Sequence, residues 1–254
     1  MKKGVLLTAV VMLSVVIPVL AAEGELSGSV DFTYSSRYIF RGIDVYKDNH
    51  SAIQPSINLD LFGTGFGANI WYSRANTSGY EEKSEIDYTL FYGNKLFEGE
   101  AYQMNYALGW TYFNYPKANR KTTAMQEVFG SVSMPDICPM GFVPSYTVIS
   151  TWPSQGDSDL SDAASGWIHV IGLGYDLQDI LPEQPIHLQA DVVYNDGAYG
   201  VDNDWSHVLF GASTGFDLGN DLTFTPGIYY QISMEDTVNT SNEFWFSTSI
   251  SYNF

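Results

Sequence analysis

Hydrolytic chemistry by a serine needs a histidine within hydrogen-bond reach and a third group to orient the imidazole. In this 254-residue chain the histidines are His50, His169, His187 and His207, and only His50–Ser51 and Ser206–His207 set the two residue types side by side. Neighbours on a strand point to opposite faces, so neither pair would meet if it lay on one. His169 has no acid beside it. No nucleotide-binding loop and no histidine–carboxylate spacing suited to a metal is visible. Cys138 is the only cysteine and sits in the turn-like stretch 135–141, so no internal disulfide or cysteine-based zinc site can form. We therefore expect no enzyme, no cofactor and no metal.

A second set of residues is defined by charge. Arg37 and Arg41 lie four apart, and Asp31, Asp60, Glu85, Asp87, Glu127, Asp191 and Glu243 are spread through alternating segments. Arginines that share an interior with carboxylates form rungs that brace a wall, or a constriction that sorts solutes by charge. Both readings require an element that points all these side chains the same way.

The stretch 243–254 is such an element. Phe244, Phe246, Thr248, Ile250, Tyr252 and Phe254 share one parity; Glu243, Trp245, Ser247, Ser249, Ser251 and Asn253 share the other. This is a ribbon with one oily and one mostly polar face. Its last residue, Phe254, with Tyr252 on the same face, resembles the sorting signal by which outer-membrane barrels reach their assembly machinery. The same alternation recurs over 26–42, 51–62, 66–73, 85–92, 102–112, 124–134, 142–152, 166–177, 186–195, 205–218 and 222–234. Together these make twelve strands. In the first, Val30, Phe32, Tyr34, Tyr38 and Phe40 take the oily parity, and Asp31, Thr33, Ser35, Arg37 and Arg41 the other. Strand eight is ambiguous; with Trp167, Ile171, Leu173 and Tyr175 outward, His169 also faces out.

Residues 1–22 begin with Lys2 and Lys3, continue through an apolar run and end in small residues, the pattern of a secretory leader cut near Ala21 or Ala22. No other stretch offers the roughly 20 apolar residues of a spanning helix. A membrane protein of this sequence must then cross as a closed barrel, formed by 23–254. An even strand count returns both ends to one side, and longer connections after odd strands than after even ones suit outer loops and periplasmic turns. The aromatics fall at strand ends, as in interfacial girdles: Tyr38, Tyr72, Trp110 and Trp152 at one end, and Phe66, Tyr92, Phe142, Phe216 and Phe254 at the other. The fold expected is all-β, a transmembrane antiparallel barrel of the Gram-negative outer membrane. A formal net charge of −18 excludes nucleic acid as a partner. Lipid, lipopolysaccharide, the barrel-assembly machinery and small solutes remain.

The segment 36–43 reads SRYIFRGI and holds Tyr38-Ile39-Phe40-Arg41-Gly42. An exported chain whose first strand ends in Tyr-x-Phe-Arg-Gly resembles the TorF-type porins, the Gcw_chp set of conserved hypothetical outer-membrane proteins. The resemblance implies an outer-membrane location and a channel role, and brings no substrate with it.

Three functions fit these observations. The first is a passive, narrow channel for small hydrophilic solutes, its inward acids (Asp31, Asp60, Glu85, Asp87, Glu127, Asp191, Glu243) outnumbering Arg37 and Arg41 and so giving a weak cation preference. The second is a structural or adhesive barrel plugged by side chains such as Trp71, Phe91, Tyr229 and Trp245. The third is an outer-membrane lipid hydrolase, for which no assembled catalytic set is visible.

Overall fold

The computed structural model describes residues 24–254 except 49, 120–122, 156–164 and 182–183. The expected leader, and most of the aspartate-rich loop after the seventh strand, lie outside the described residues. The strands are β1 (Ser27–Ser35), β2 (Ala52–Asp60), β3 (Phe66–Ala75), β4 (Glu85–Leu96), β5 (Met104–Asn114), β6 (Met125–Ser133), β7 (Val143–Pro153), β8 (Gly166–Leu181), β9 (Gln184–Asp196), β10 (Asp204–Ser213, continued after a break by Phe216–Gly219), β11 (Leu222–Ser233) and β12 (Glu243–Asn253). Each pairs antiparallel with its neighbours in sequence, and β12 pairs with β1. The sheet is therefore a closed twelve-stranded antiparallel barrel. The seam runs Asp31↔Ser251, Phe32↔Ile250, Thr33↔Ser249.

Each wall strand is paired on both sides, so the ladders are met mainly within the sheet rather than by water, as a lipid environment demands. The alternation settles which face meets what. Phe32, Phe66, Leu90, Leu108, Ile171, Phe210, Ile228 and Phe244 are exposed on the outside, whereas Asp31, Thr33, Gln54, Glu127, Thr151 and Ser249 are buried inside. Such a continuous apolar belt far exceeds the patch a water-soluble monomer tolerates. Strand eight follows the expected parity: Ile168 and Val170 point in, Trp167 and Ile171 point out. His169 does face outward, where its Nδ1 meets the Tyr146 hydroxyl at 2.7 Å.

Connections after odd-numbered strands gather at one end, here called the loop end; those after even-numbered strands and both described termini gather at the turn end. At the turn end Phe254 and Gly28 exchange two backbone hydrogen bonds, and the Tyr252 and Phe254 rings stack outside.

Strand one departs from expectation. It ends at Ser35 rather than Gly42, and the chain turns into the lumen instead of continuing up the wall. Within 36–51, Ile39–Phe40 and Ile43–Asp44 form a small ladder of their own, joined by Arg41 and Gly42 at φ +48° and +91°. Two successive positive φ values make the tight turn whose twist suits a two-residue hairpin. Tyr38 and Phe40, expected on the lipid side, are thus inside the barrel, and Tyr38 leaves the outer girdle.

Candidate functional site in the barrel lumen

Eight strands give a lumen that side chains alone can fill; twelve leave a wider one. Here the first loop supplies the missing bulk at the loop end. Ile39 packs into a buried cluster with Leu209, Tyr229 and Trp245, where the Tyr229 and Trp245 rings stack at 5.4 Å. On the other flank Tyr38 meets Trp71 at 5.4 Å and Tyr46 at 5.5 Å. Phe40 meets the Phe113 ring edge at 5.9 Å. A third cluster, Phe129, Ile149, Ile168, Val170, Val193 and Ala198, lines the wall opposite, with Phe91 and Tyr199 against it. Phe129 lies flat over Gly109 and Tyr229 over Gly211, places where any Cβ would collide with the ring. These glycines let large rings lie against the wall rather than project across the lumen.

At the hairpin tip Arg41 Nη2 donates to Glu127 Oε1 at 2.7 Å, while Nη1 donates to the Tyr199 hydroxyl at 2.6 Å and stands 2.6 Å from Glu127 Oε2. Both side chains of the ion pair are almost wholly out of water, at 3% and 0% exposure. Burial disfavours the Arg41 charge, but Glu127 and Tyr199 outweigh it and raise its pKa above the ordinary value. Burial pushes the Tyr199 hydroxyl up to about 12, so it stays protonated. The neighbouring carbonyl of Gly42 accepts from Gln231 Nε2 at 3.1 Å. Tyr199 comes from a second inward loop, 197–203, and adopts φ +63°. That loop is drawn in by a bridge between Trp167 and Gly197.

The residues singled out from sequence divide into separate groups. Arg37 lies beyond β1 and ion-pairs with Glu243 at the start of β12; Asn239 Nδ2 donates to the same carboxylate at 3.2 Å. Glu85 and Asp87 face the hairpin, with Tyr38 Oη 3.4 Å from Glu85 Oε2. Asp31 belongs to the other half of the lumen, where Ser29, Ser56, Asn58 and Ser251 all donate to it. Asp191 faces that half too and accepts from Gln189 at 2.9 Å. Asp60 sits at the turn-end rim and accepts from the Gly63 backbone at 2.7 Å, apart from the rest. Trp71, Phe91, Tyr229 and Trp245 point into the lumen. Among the described residues no group of three histidines, cysteines or acids has metal-binding geometry.

One pair overturns an expectation. Ser206 and His207, expected on opposite faces, both point inward. The β9–β10 register shifts between Val193↔His207 and Tyr194↔Trp205, leaving Ser206 as the extra residue of a bulge. Their side chains hydrogen-bond at 2.8 Å and are 1% exposed. Gly42 covers them so closely that a Cβ there would lie 2.8 Å from His207 Nδ1. The pair therefore forms part of the packing beneath the hairpin and is closed to water and lipid.

Sequence reasoning also passed over Tyr46, which is fully buried and bonds Ser73 at 3.1 Å, and Tyr199. A signal was present. Ser35-Ser36-Arg37 breaks the apolar parity just where β1 ends, and Arg41-Gly42 reads as a tight turn.

Comparison with known proteins agrees with this architecture. The solved structures most like the chain include a KdgM porin (TM-score 0.56, 8% identity, covering 89% of this chain and 99% of that one) and a NanC porin (0.55, 13%, 89% and 100%). An outer-membrane channel from Pseudomonas putida F1 is similar at TM-score 0.53 and 12% identity, over 92% of this chain and 97% of that one. At such identities the likeness is one of fold. No curated protein matches the chain by sequence. A family model described as a bacterial protein of unknown function (Gcw_chp) matches residues 21–247, and the chain belongs to that family.

Proposed function

We propose that the chain is a passive outer-membrane channel for small hydrophilic solutes, with the loop end outside the cell and the turn end in the periplasm. The observation that carries this reading is the turn-end half of the lumen. There Asn58, Asn69, Thr89, Ser131, Ser145, Thr147 and Asp191 face inward and remain partly open to water, which a wet pathway requires. The three similar structures named above are two porins and an outer-membrane channel, in keeping with this use of the fold. The reading includes a weak cation preference, because Asp31 and Asp191 line that half while Arg41 is neutralised by Glu127 and Arg37 by Glu243. It includes no hydrolytic step, since Ser206 and His207 are sealed beneath the hairpin.

A second reading, a permanently plugged structural or adhesive barrel, is favoured by the filled loop-end half. Purified protein in a planar bilayer separates the two. Small current steps with a cation-biased reversal potential, weakening at high salt, support the channel. A silent bilayer containing folded barrel supports the plug.

A further inference from the structure

We infer that the hairpin in 36–51 is an autoinhibitory gate, latched by Arg41 and able to leave the lumen without disturbing the barrel. This rests on the channel reading above. Three features of its attachment carry it.

First, its hold on the wall is made by side chains. Among the described residues, the backbone–backbone bonds of 37–50 run within the segment itself: the Ile39–Phe40/Ile43–Asp44 ladder, Val45 N–H to the Tyr38 carbonyl, and His50 N–H to that of Tyr46. The wall reaches the hairpin instead through Glu127 on Arg41, Gln231 on the Gly42 carbonyl and Ser73 on the Tyr46 hydroxyl. A plug that shared the wall's ladder would have to unzip strands to move; this one would not.

Second, both ends are tied at the rim rather than in the lumen. Ser36 N–H donates to the Phe246 carbonyl and Asn76 N–H to the Ser51 carbonyl, both outside 37–50. Ser35 and Ala52 are already opposite one another in the β1–β2 ladder. The barrel therefore does not need the intervening residues to close, and the hairpin is a surplus segment folded into the lumen.

Third, its latch joins parts of the chain that no strand pairing joins. Arg41 follows β1, Glu127 stands on β6 across the lumen, and Tyr199 belongs to the loop after β9. One side chain thus holds the hairpin, the far wall and the second inward loop together. A purely structural filling could use apolar contacts throughout. A buried ion pair is a poorer stabiliser than apolar packing of the same volume, but its geometry commits the hairpin to one docked position.

The test compares the full-length barrel with a variant in which 37–50 is replaced by Asn-Gly, a turn suited to a two-residue hairpin. Both are purified, checked for folding by heat-modifiable gel mobility, and measured in planar bilayers. The gate predicts several-fold larger or more frequent current steps from the shortened barrel. Equal conduction by both would overturn the gate and leave the channel standing. Silence from both, with folded protein, would overturn the gate and the channel reading together. If the shortened barrel does not fold, Glu127→Gln decides: it keeps the side-chain shape and removes the latch charge. Openings at least a few-fold more frequent at unchanged melting support the gate, and unchanged gating overturns it.

Discussion

The two halves of the lumen use the same strands in opposite ways. At the turn end the inward face is hydroxyls and amides around single acids, as where four side chains donate to Asp31, and much of it stays partly open. At the loop end the inward face carries Trp71, Phe113, Phe129, Leu209, Tyr229 and Trp245, and a piece of the chain itself fills the middle. A barrel with a polar lining throughout would leave its width to water, and one with an apolar lining throughout would need filling from end to end. The division confines the filling to the loop end, where the hairpin and the second inward loop pack against one band of the wall.

Breaking that band should have the largest effect. Arg41→Ala leaves Glu127 buried without its partner, at a cost on the order of 3–5 kcal/mol. We expect amide exchange of the peptide spanning 36–51, read by mass spectrometry, to quicken by about two to four powers of ten. Replacing both partners with apolar residues, Arg41→Met with Glu127→Leu, should restore most of the protection; failure to do so would mean the charge itself is required. A smaller loss is expected from Ile39→Ala, roughly 2–5 kcal/mol for a buried aliphatic side chain, seen in the same peptide. In the other half Ser249→Ala removes only one hydroxyl contact, from Thr33 at 3.0 Å, and should cost about 1 kcal/mol. It should leave the exchange of 36–51 unchanged. Equal effects of Ile39→Ala and Ser249→Ala would erase the distinction between the halves.

The smallest effect is one of pH. Burial, then the Glu243 charge, raises the Asp44 carboxyl above its usual range, against the pull of Arg37 and Lys83. A carboxyl whose folded pKa is raised favours the folded state most when protonated. Docking of the hairpin should therefore be firmest below the ordinary carboxylate pKa and loosen as pH rises through the raised value. After correction for intrinsic exchange rates, 36–51 should lose protection over that window, and Asp44→Asn should flatten the dependence. A loss of protection on lowering the pH instead would contradict the assigned surroundings of Asp44.

The barrel was legible in the sequence because lipid and lumen impose a period of two on every strand. Even strand eight, apolar on both faces, resolves as expected once His169 finds Tyr146 outside. Where β1 stops was not legible. A hairpin in the lumen is itself extended, so Tyr38 and Phe40 keep the period of the strand before them, and an aromatic ring suits lipid and lumen equally. The polar run Ser35-Ser36-Arg37 and the turn-forming Arg41-Gly42 mark the change. The bulge at Ser206 left no mark at all, since one extra residue reverses parity without altering composition. Arg41 and Glu127 were each recognisable as inward charges. Their pairing, and the part of Tyr199, depended on two loops turning inward, which side-chain period does not encode.

The central claim, that 36–51 seals the loop-end half while the other half stays wet, is most directly tested by cysteine accessibility. On a Cys138→Ser background, Ile39→Cys and Ser145→Cys are compared in the folded barrel in detergent, using a charged, membrane-impermeant maleimide. The account predicts rapid labelling at 145 and very slow labelling at 39, with both reacting fully after unfolding. Equally rapid labelling at 39 in the folded barrel would contradict it.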